Sequence, residues 1–139
     1  MKVLADTNVI LDVIMKREPY FAASYEILNL AAQDKICLMI TASSVTDINY
    51  LLRKSGRDDS SARQAMNQLF TLVRIADVKA EDIQHALQSP IADFEDAVAI
   101  AAAQRNNCKA IITRNIKDFA GSAIPAMIPL EFDPSIVFE

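Results

Sequence analysis

The chain has no tryptophan, one histidine, two cysteines and two glycines among its 139 residues. Each shortage closes off a class of protein. Two glycines and five prolines cannot supply the turns that an all-β sandwich or barrel consumes, and they favour long helices. One histidine and two cysteines, far apart in the chain, form no cluster with zinc-ligand spacing. His85 has no ligand spacing around it and reads as a surface residue of its helix. Cys37 and Cys108 each sit in or beside an apolar run and read as buried free thiols, with no disulfide framework. No apolar run approaches the roughly 20 residues of a membrane span. Asp6 interrupts the N-terminus before a signal-peptide core could form, so the cytoplasm is the expected location. Positive charge is short as well: 14 Lys and Arg face 18 Asp and Glu, a net charge of −4. An acidic chain does not hold nucleic acid through bulk electrostatics, so a phosphate ligand would need a local basic patch or a metal.

What is present is apolar residue, 52% of the chain, enough for one domain over residues 1–139 with a core of its own. Val3, Leu4 and Ala5 form a short run fit for a strand buried on both faces. Asp6 ends it, Asn8 suits a helix N-cap, and Val9, Ile10, Val13 and Ile14 recur at helical spacing. A second helix is expected over residues 20–33 and a buried strand over 36–40. A third helix follows the small polar segment 41–44, carries Val45, Ile48, Leu51 and Leu52 on one stripe, and stops at Gly56. A polar linker at 57–61 leads to a helix over 60–72 and a short strand over 73–78. Helices over 80–87 and 93–105, a strand over 110–112, a weak last strand over 126–128 and a tail over 132–139 complete the chain. Strands alternating with helices predict an α/β three-layer sandwich: a mostly parallel sheet of four to five strands with helices on both faces.

In such a sheet ligands bind beyond the carboxyl ends of the strands, and acids gather there. Asp6 closes the first strand. Asp93-Phe94-Glu95-Asp96 opens a helix whose continuation, residues 97–103, has no polar side, so that helix is buried all round. Asp93 fits an N-cap with Asp96 three residues on. Asp96 borders deep residues and would be poorly hydrated without a partner. Asp47 lies roughly 100° from the centre of its helix's apolar stripe, at 100° per residue, and could point along the same rim. Asp118 follows the strand end at Thr113. Crowded like charges raise each other's pKa or demand a cation, and an all-oxygen set suits Mg²⁺ or Mn²⁺. A Mg²⁺ held by a few carboxylates is the arrangement for phosphoester chemistry. Arg114 and Lys117 stand where they could hold a phosphate, with Arg53, Lys54 and Arg57 further along.

Asp6-Thr7-Asn8, an acid in the third helix, Asp96-Ala97-Val98 opening a buried alanine-rich helix, and the run from Ile111 through Thr113-Arg114-Asn115 to Asp118-Phe119 together resemble the PIN domain family, in order and spacing, from Lys2 to about Met127. The resemblance implies a parallel sheet between helices, an acidic Mg²⁺ or Mn²⁺ site and cleavage of single-stranded RNA. In small bacterial members of the VapC type it implies the toxin half of a toxin–antitoxin pair, usually a homodimer held inactive by a small antitoxin protein. The family's first and third acids fall on Asp6 and Asp96. Its second acid is commonly Glu, where this chain has Asp47, a methylene shorter. Asn115 stands where Asp is frequent; its carbonyl can ligate but brings no charge. Asp118, or Asp93 beside Asp96, would make up the difference. The expected catalytic set is therefore Asp6, Asp47, Asp96 and Asp118. Asp6, Asp96, Asp93 and Asn115 are the candidate metal ligands. Thr7, Asn8, Thr113, Arg114 and Lys117 are the candidate substrate contacts.

Two other readings compete. A non-catalytic binding module on the same fold is suggested by Asn115. A carboxylate-based phosphatase or phospho-receiver is opposed by Asn8, which stands where the phosphatase needs a second Asp, and by the single acid after the first strand. The first two predicted helices carry more apolar residues than one face needs (Ile10, Leu11, Ile14, Met15, Tyr20, Phe21, Tyr25, Ile27, Leu28 and Leu30), which points to an interface between two copies.

Overall fold

A computed structural model describes residues 1–135; the last four residues of the expected tail lie outside the described part. Five strands form one sheet in the order β3-β2-β1-β4-β5, every pair parallel: β1 (Lys2–Ala5), β2 (Cys37–Thr41), β3 (Arg74–Ala76), β4 (Ala110–Ile112) and β5 (Ala126–Met127). Among the described residues the six α-helices are α1 (Thr7–Ile14), α2 (Phe21–Ala32), α3 (Ala42–Lys54), α4 (Asp59–Leu69), α5 (Ala80–Leu87) and α6 (Phe94–Arg105). The predicted α/β sandwich is the observed fold.

The two faces of the sheet follow from the alternation of side chains along β1. Val3 and Ala5 join the cluster packed by α1, α2, α3 and α4, with Val9, Ile27, Ile48 and Leu52 at its centre. Leu4 points the other way, to Ile111, Met39 and the alanine-rich side of α6. Neither face of β1 meets water, which is why the strand is apolar at consecutive positions. Ala102 and Ala103 are fully buried; their small side chains let α6 lie close against the sheet.

Two boundaries differ from expectation for a local reason. Asp6, not Asn8, is the N-cap of α1: its backbone is extended and its carboxylate accepts the Thr7 N–H. Strand passes into helix with no intervening turn. Thr41 caps α3 through the Ser44 N–H, so the segment 41–44 is the helix's first turn. Gly56, with φ of +109°, follows the end of α3 as a left-handed stop that a side chain would disfavour.

Strand order reverses at β1. Chain from β1 goes to β2 on one side, while β4 adds on the other. The crevice beyond the carboxyl ends of β1 and β4 is the switch point where open parallel sheets bind ligands. Asp6 and Thr113 are the residues that emerge there.

Candidate functional site

Asp6 stands at the centre of that crevice. Its Oδ1 accepts the Thr7 N–H at 2.8 Å and its Oδ2 accepts the Thr113 hydroxyl at 2.8 Å. Thr113 Oγ1 in turn accepts the Asn115 N–H at 3.0 Å. The two strand ends are thus stitched side chain to side chain, and the Asp6 carboxylate has one orientation. Burial pushes the Asp6 pKa up, against the two hydrogen bonds that pull it down; the Asp118 charge adds to the rise.

Around Asp6 opens a cleft of about 370 Å³ lined by Thr7, Asn8, Asp47, Tyr50, Leu51, Asp93, Glu95, Asp96, Asn115 and Asp118. The lining holds six carboxylates and, among the described residues, no Lys, Arg or His. Asp96 shows the consequence. Burial, then Asp6, Asp93, Asp118 and Glu95, push its carboxyl up from the ordinary 3.8 to about 7. Glu95 is raised too, chiefly by Asp47, then by burial, Asp93 and Asp6. These acids come from β1, α3, the start of α6 and the 3₁₀ turn Ile116–Phe119, so the repulsion opposes tertiary packing itself. Each element contributes an acid because its carboxyl-terminal strand end or its helix start lies at the same rim.

The expected catalytic residues Asp6, Asp47, Asp96 and Asp118 all line this cleft, as do the expected ligands Asp93 and Asn115 and the contacts Thr7 and Asn8. Asp93 also caps α6, its Oδ1 accepting the Asp96 N–H at 3.0 Å. Three expected substrate contacts are placed elsewhere. Thr113 is fully buried; it orients Asp6 and has no surface to offer. Arg114 turns away from the cleft. Its Nε lies 2.8 Å from Asp12 Oδ2, with the N–H not aimed along the contact, its Nη2 donates to Asp12 Oδ1 at 3.2 Å, and its guanidinium covers the Tyr20 ring at 3.9 Å. Asp12 is fully buried, and this pairing is what permits it. Lys117 is exposed and does not line the cleft. Sequence reasoning missed Glu95, Tyr50 and Leu51 as cleft residues. Glu95 stood inside the acidic run already singled out, and Tyr50 and Leu51 are one helical turn beyond Asp47, so both signals were present.

The donors are oxygen throughout, and the set lacks countercharge. A hard divalent cation fits that chemistry; Asp6, Asp47 and Asp96 are the partly buried acids, and Asp93, Glu95 and Asp118 are exposed. Among the described residues, no three His, Cys, Asp or Glu side chains stand close enough together to enclose an ion by themselves.

An α/β domain with six carboxylates in one cleft at the switch point of a parallel sheet is a fold-and-site class of its own. The chain belongs to the PIN domain family, which it matches over residues 2–117. It is 24% identical over 136 residues to Ribonuclease VapC1 of Aquifex aeolicus, covering 94% of this chain and 92% of that one. Its fold is shared with the VapBC2 complex of Rickettsia felis bound to a promoter DNA fragment (TM-score 0.71, 18% identity, 92% of this chain and 98% of that one). A toxin–antitoxin complex from Klebsiella pneumoniae is similarly close (TM-score 0.68, 20% identity, 94% and 99%). No helix is long and apolar enough to cross a membrane among the described residues.

Proposed function

We propose that the chain is a divalent-metal-dependent endoribonuclease that hydrolyses phosphodiester bonds of single-stranded RNA, and that it is the toxin of a toxin–antitoxin pair. The observation that carries the reading is the cleft with six carboxylates and, among the described residues, no Lys, Arg or His, in which burial and the neighbouring acids hold Asp96 near a pKa of 7. Support also comes from family membership and from the name ribonuclease borne by the Aquifex relative.

Asp6 and Asp96 would hold Mg²⁺ or Mn²⁺, with Asp93, Asn115 and Asp118 completing the shell directly or through water. A bound cation would supply charge stabilisation at the phosphoryl oxygens and lower the pKa of a water. Mg²⁺ keeps several waters and takes few carboxylates, so a site without three converged acids suits it. Thr113 and the Thr7 N–H fix the Asp6 carboxylate, so no reorganisation is needed when a substrate arrives. Asp47, Glu95 and Asp118, on the outer wall, can accept a proton from a water attacking phosphorus. The small antitoxin would cover the same acids, and a homodimer would bury the exposed apolar side of α2.

The test is hydrolysis of single-stranded RNA with Mn²⁺. Asp6→Asn and Asp96→Asn are each expected to abolish it, with circular dichroism unchanged, and EDTA is expected to stop the wild type. Expression in a bacterium is expected to arrest growth for the wild type and not for Asp6→Asn. Cleavage at the wild-type rate by either folded variant would remove the site assignment, and cleavage in excess EDTA would remove the metal. A second reading, a non-catalytic module, is favoured by the neutral Asn115 in the cleft; Mn²⁺ binding without RNA hydrolysis would support it.

A further inference from the structure

The six-acid cleft repels the backbone it is proposed to cut, so the RNA must be held beside the acids by something other than their charge. Helix α3 offers one wall for this. Asp47, Tyr50 and Leu51 line the cleft, and Lys54 falls on the same helical face, one turn of ~5.4 Å beyond Tyr50. Tyr50 is 63% exposed, a large ring kept in water at the mouth of a polar cleft, and its hydroxyl takes no hydrogen bond among the described residues. The cations nearby differ in availability. Arg53 is tied to Asp59 at 3.2 Å and Arg57 donates to Ser61 at 3.4 Å. Lys54 is exposed and carries no ion pair among the described residues.

We propose that this face of α3 is a single-strand track, on which Tyr50 stacks one base of the RNA and Lys54 holds a phosphate next to it, setting the strand across the acids. The proposal rests on the ribonuclease reading above. Stacking on an aromatic ring is indifferent to base identity and to net charge, so it is available to an acidic protein. It also selects unpaired nucleotides, because only they present a free face. Tyr50 would act on binding, with the acids left to the chemistry.

The experiment uses an Asp96→Asn parent, expected to bind without cutting, and a short fluorescent single-stranded oligoribonucleotide in Mg²⁺. Adding Tyr50→Ala is expected to weaken binding about tenfold, and Tyr50→Phe to change it by less than about twofold. Adding Lys54→Gln is expected to weaken binding and reduce its salt dependence by about one phosphate contact. Inorganic polyphosphate in place of RNA should respond to Lys54→Gln and ignore Tyr50→Ala. Because the chain has no tryptophan, Tyr50→Trp gives a single reporter whose fluorescence should be quenched by RNA and not by polyphosphate. In the active protein Tyr50→Ala should raise KM and leave kcat unchanged. Equal RNA affinity of Tyr50→Ala and its parent, or equal losses for RNA and polyphosphate, would overturn the track. Failure of the parent itself to bind RNA would instead overturn the ribonuclease reading beneath it.

Discussion

Removing the Arg114 guanidinium would strand a carboxylate in the core. Asp12 is fully buried, and its other cationic neighbour, Arg17, stands 3.9 Å away and partly in water. Breaking a buried pair from one side typically costs several kcal/mol, whereas replacing both partners by apolar groups is often close to neutral. Arg114→Met is therefore expected to lower unfolding free energy by about 3 kcal/mol in urea titration. The double variant Arg114→Met with Asp12→Leu is expected to regain most of that loss. Arg114 follows Thr113, which holds Asp6, so the pair anchors the site loop to α1 from outside the cleft.

Asp96 makes a second residue-level prediction, through pH. Its folded-state pKa is raised from 3.8 to about 7, so the folded protein binds this proton more tightly than the unfolded chain does. The group's contribution to stability is complete below about pH 4 and is lost as pH rises through about 7. Asp6 and Glu95 are shifted in the same direction. Thermal melts of metal-free protein are expected to fall in Tm over that window, less steeply for Asp96→Asn. Added Mn²⁺, which favours the ionised form, should flatten the slope.

At the scale of elements, α6 carries two opposed effects at one residue. Asp93 caps the helix through the Asp96 N–H, a contact worth about 1 kcal/mol. Its charge also helps to push up the Asp96 pKa. Asp93→Ala removes both and is expected to destabilise by less than about 1 kcal/mol. Asp93→Ser keeps a capping oxygen and drops the charge, and is expected to raise the Tm of the metal-free protein above wild type. If metal binding also weakens in Asp93→Ser by Mn²⁺ calorimetry, Asp93 is a ligand as well as a cap.

The elements also show what the chain discloses locally. The strands and helices were readable because each carries its own periodicity: consecutive apolar residues in β1, no polar side over residues 97–103 of α6. The shared rim follows from parallel strand ends for Asp6 and Asp118, and from helix periodicity and a buried helix start for Asp47 and Asp96. What escaped needed contacts distant in sequence. Arg114 was read as a phosphate contact because the strand end was visible and its partner, Asp12, was not: the two are 102 positions apart. Thr113, expected as a substrate contact, is buried instead: its N–H donates to the Met127 carbonyl and its hydroxyl to Asp6, 107 positions away. Asn8 looked the better cap because a turn was expected after β1, and Asp6 filled both roles.

For the whole molecule, the expected surplus of apolar residues on α1 and α2 is partly absorbed. Ile10, Leu11, Ile27 and Leu28 enter the core. Tyr20 and Tyr25 remain 43% and 50% exposed, and Leu130, in a second 3₁₀ turn, Pro129–Glu131, packed beside α2, is 79% exposed. Tyr20, Ala23, Pro129 and Leu130 line one continuous apolar groove there. The switch-point cleft opens elsewhere and shares none of these residues, so a second copy could cover the groove and leave the acids open to RNA. Light scattering at micromolar concentration is expected to give twice the 15.3 kDa chain mass. Leu130→Asp is expected to halve that mass with circular dichroism and Mn²⁺ affinity unchanged, since a side chain this exposed adds little to the core and lies outside the cleft. A wild-type mass of one chain would defeat the dimer, and a dimer that survives Leu130→Asp would place the interface on another face.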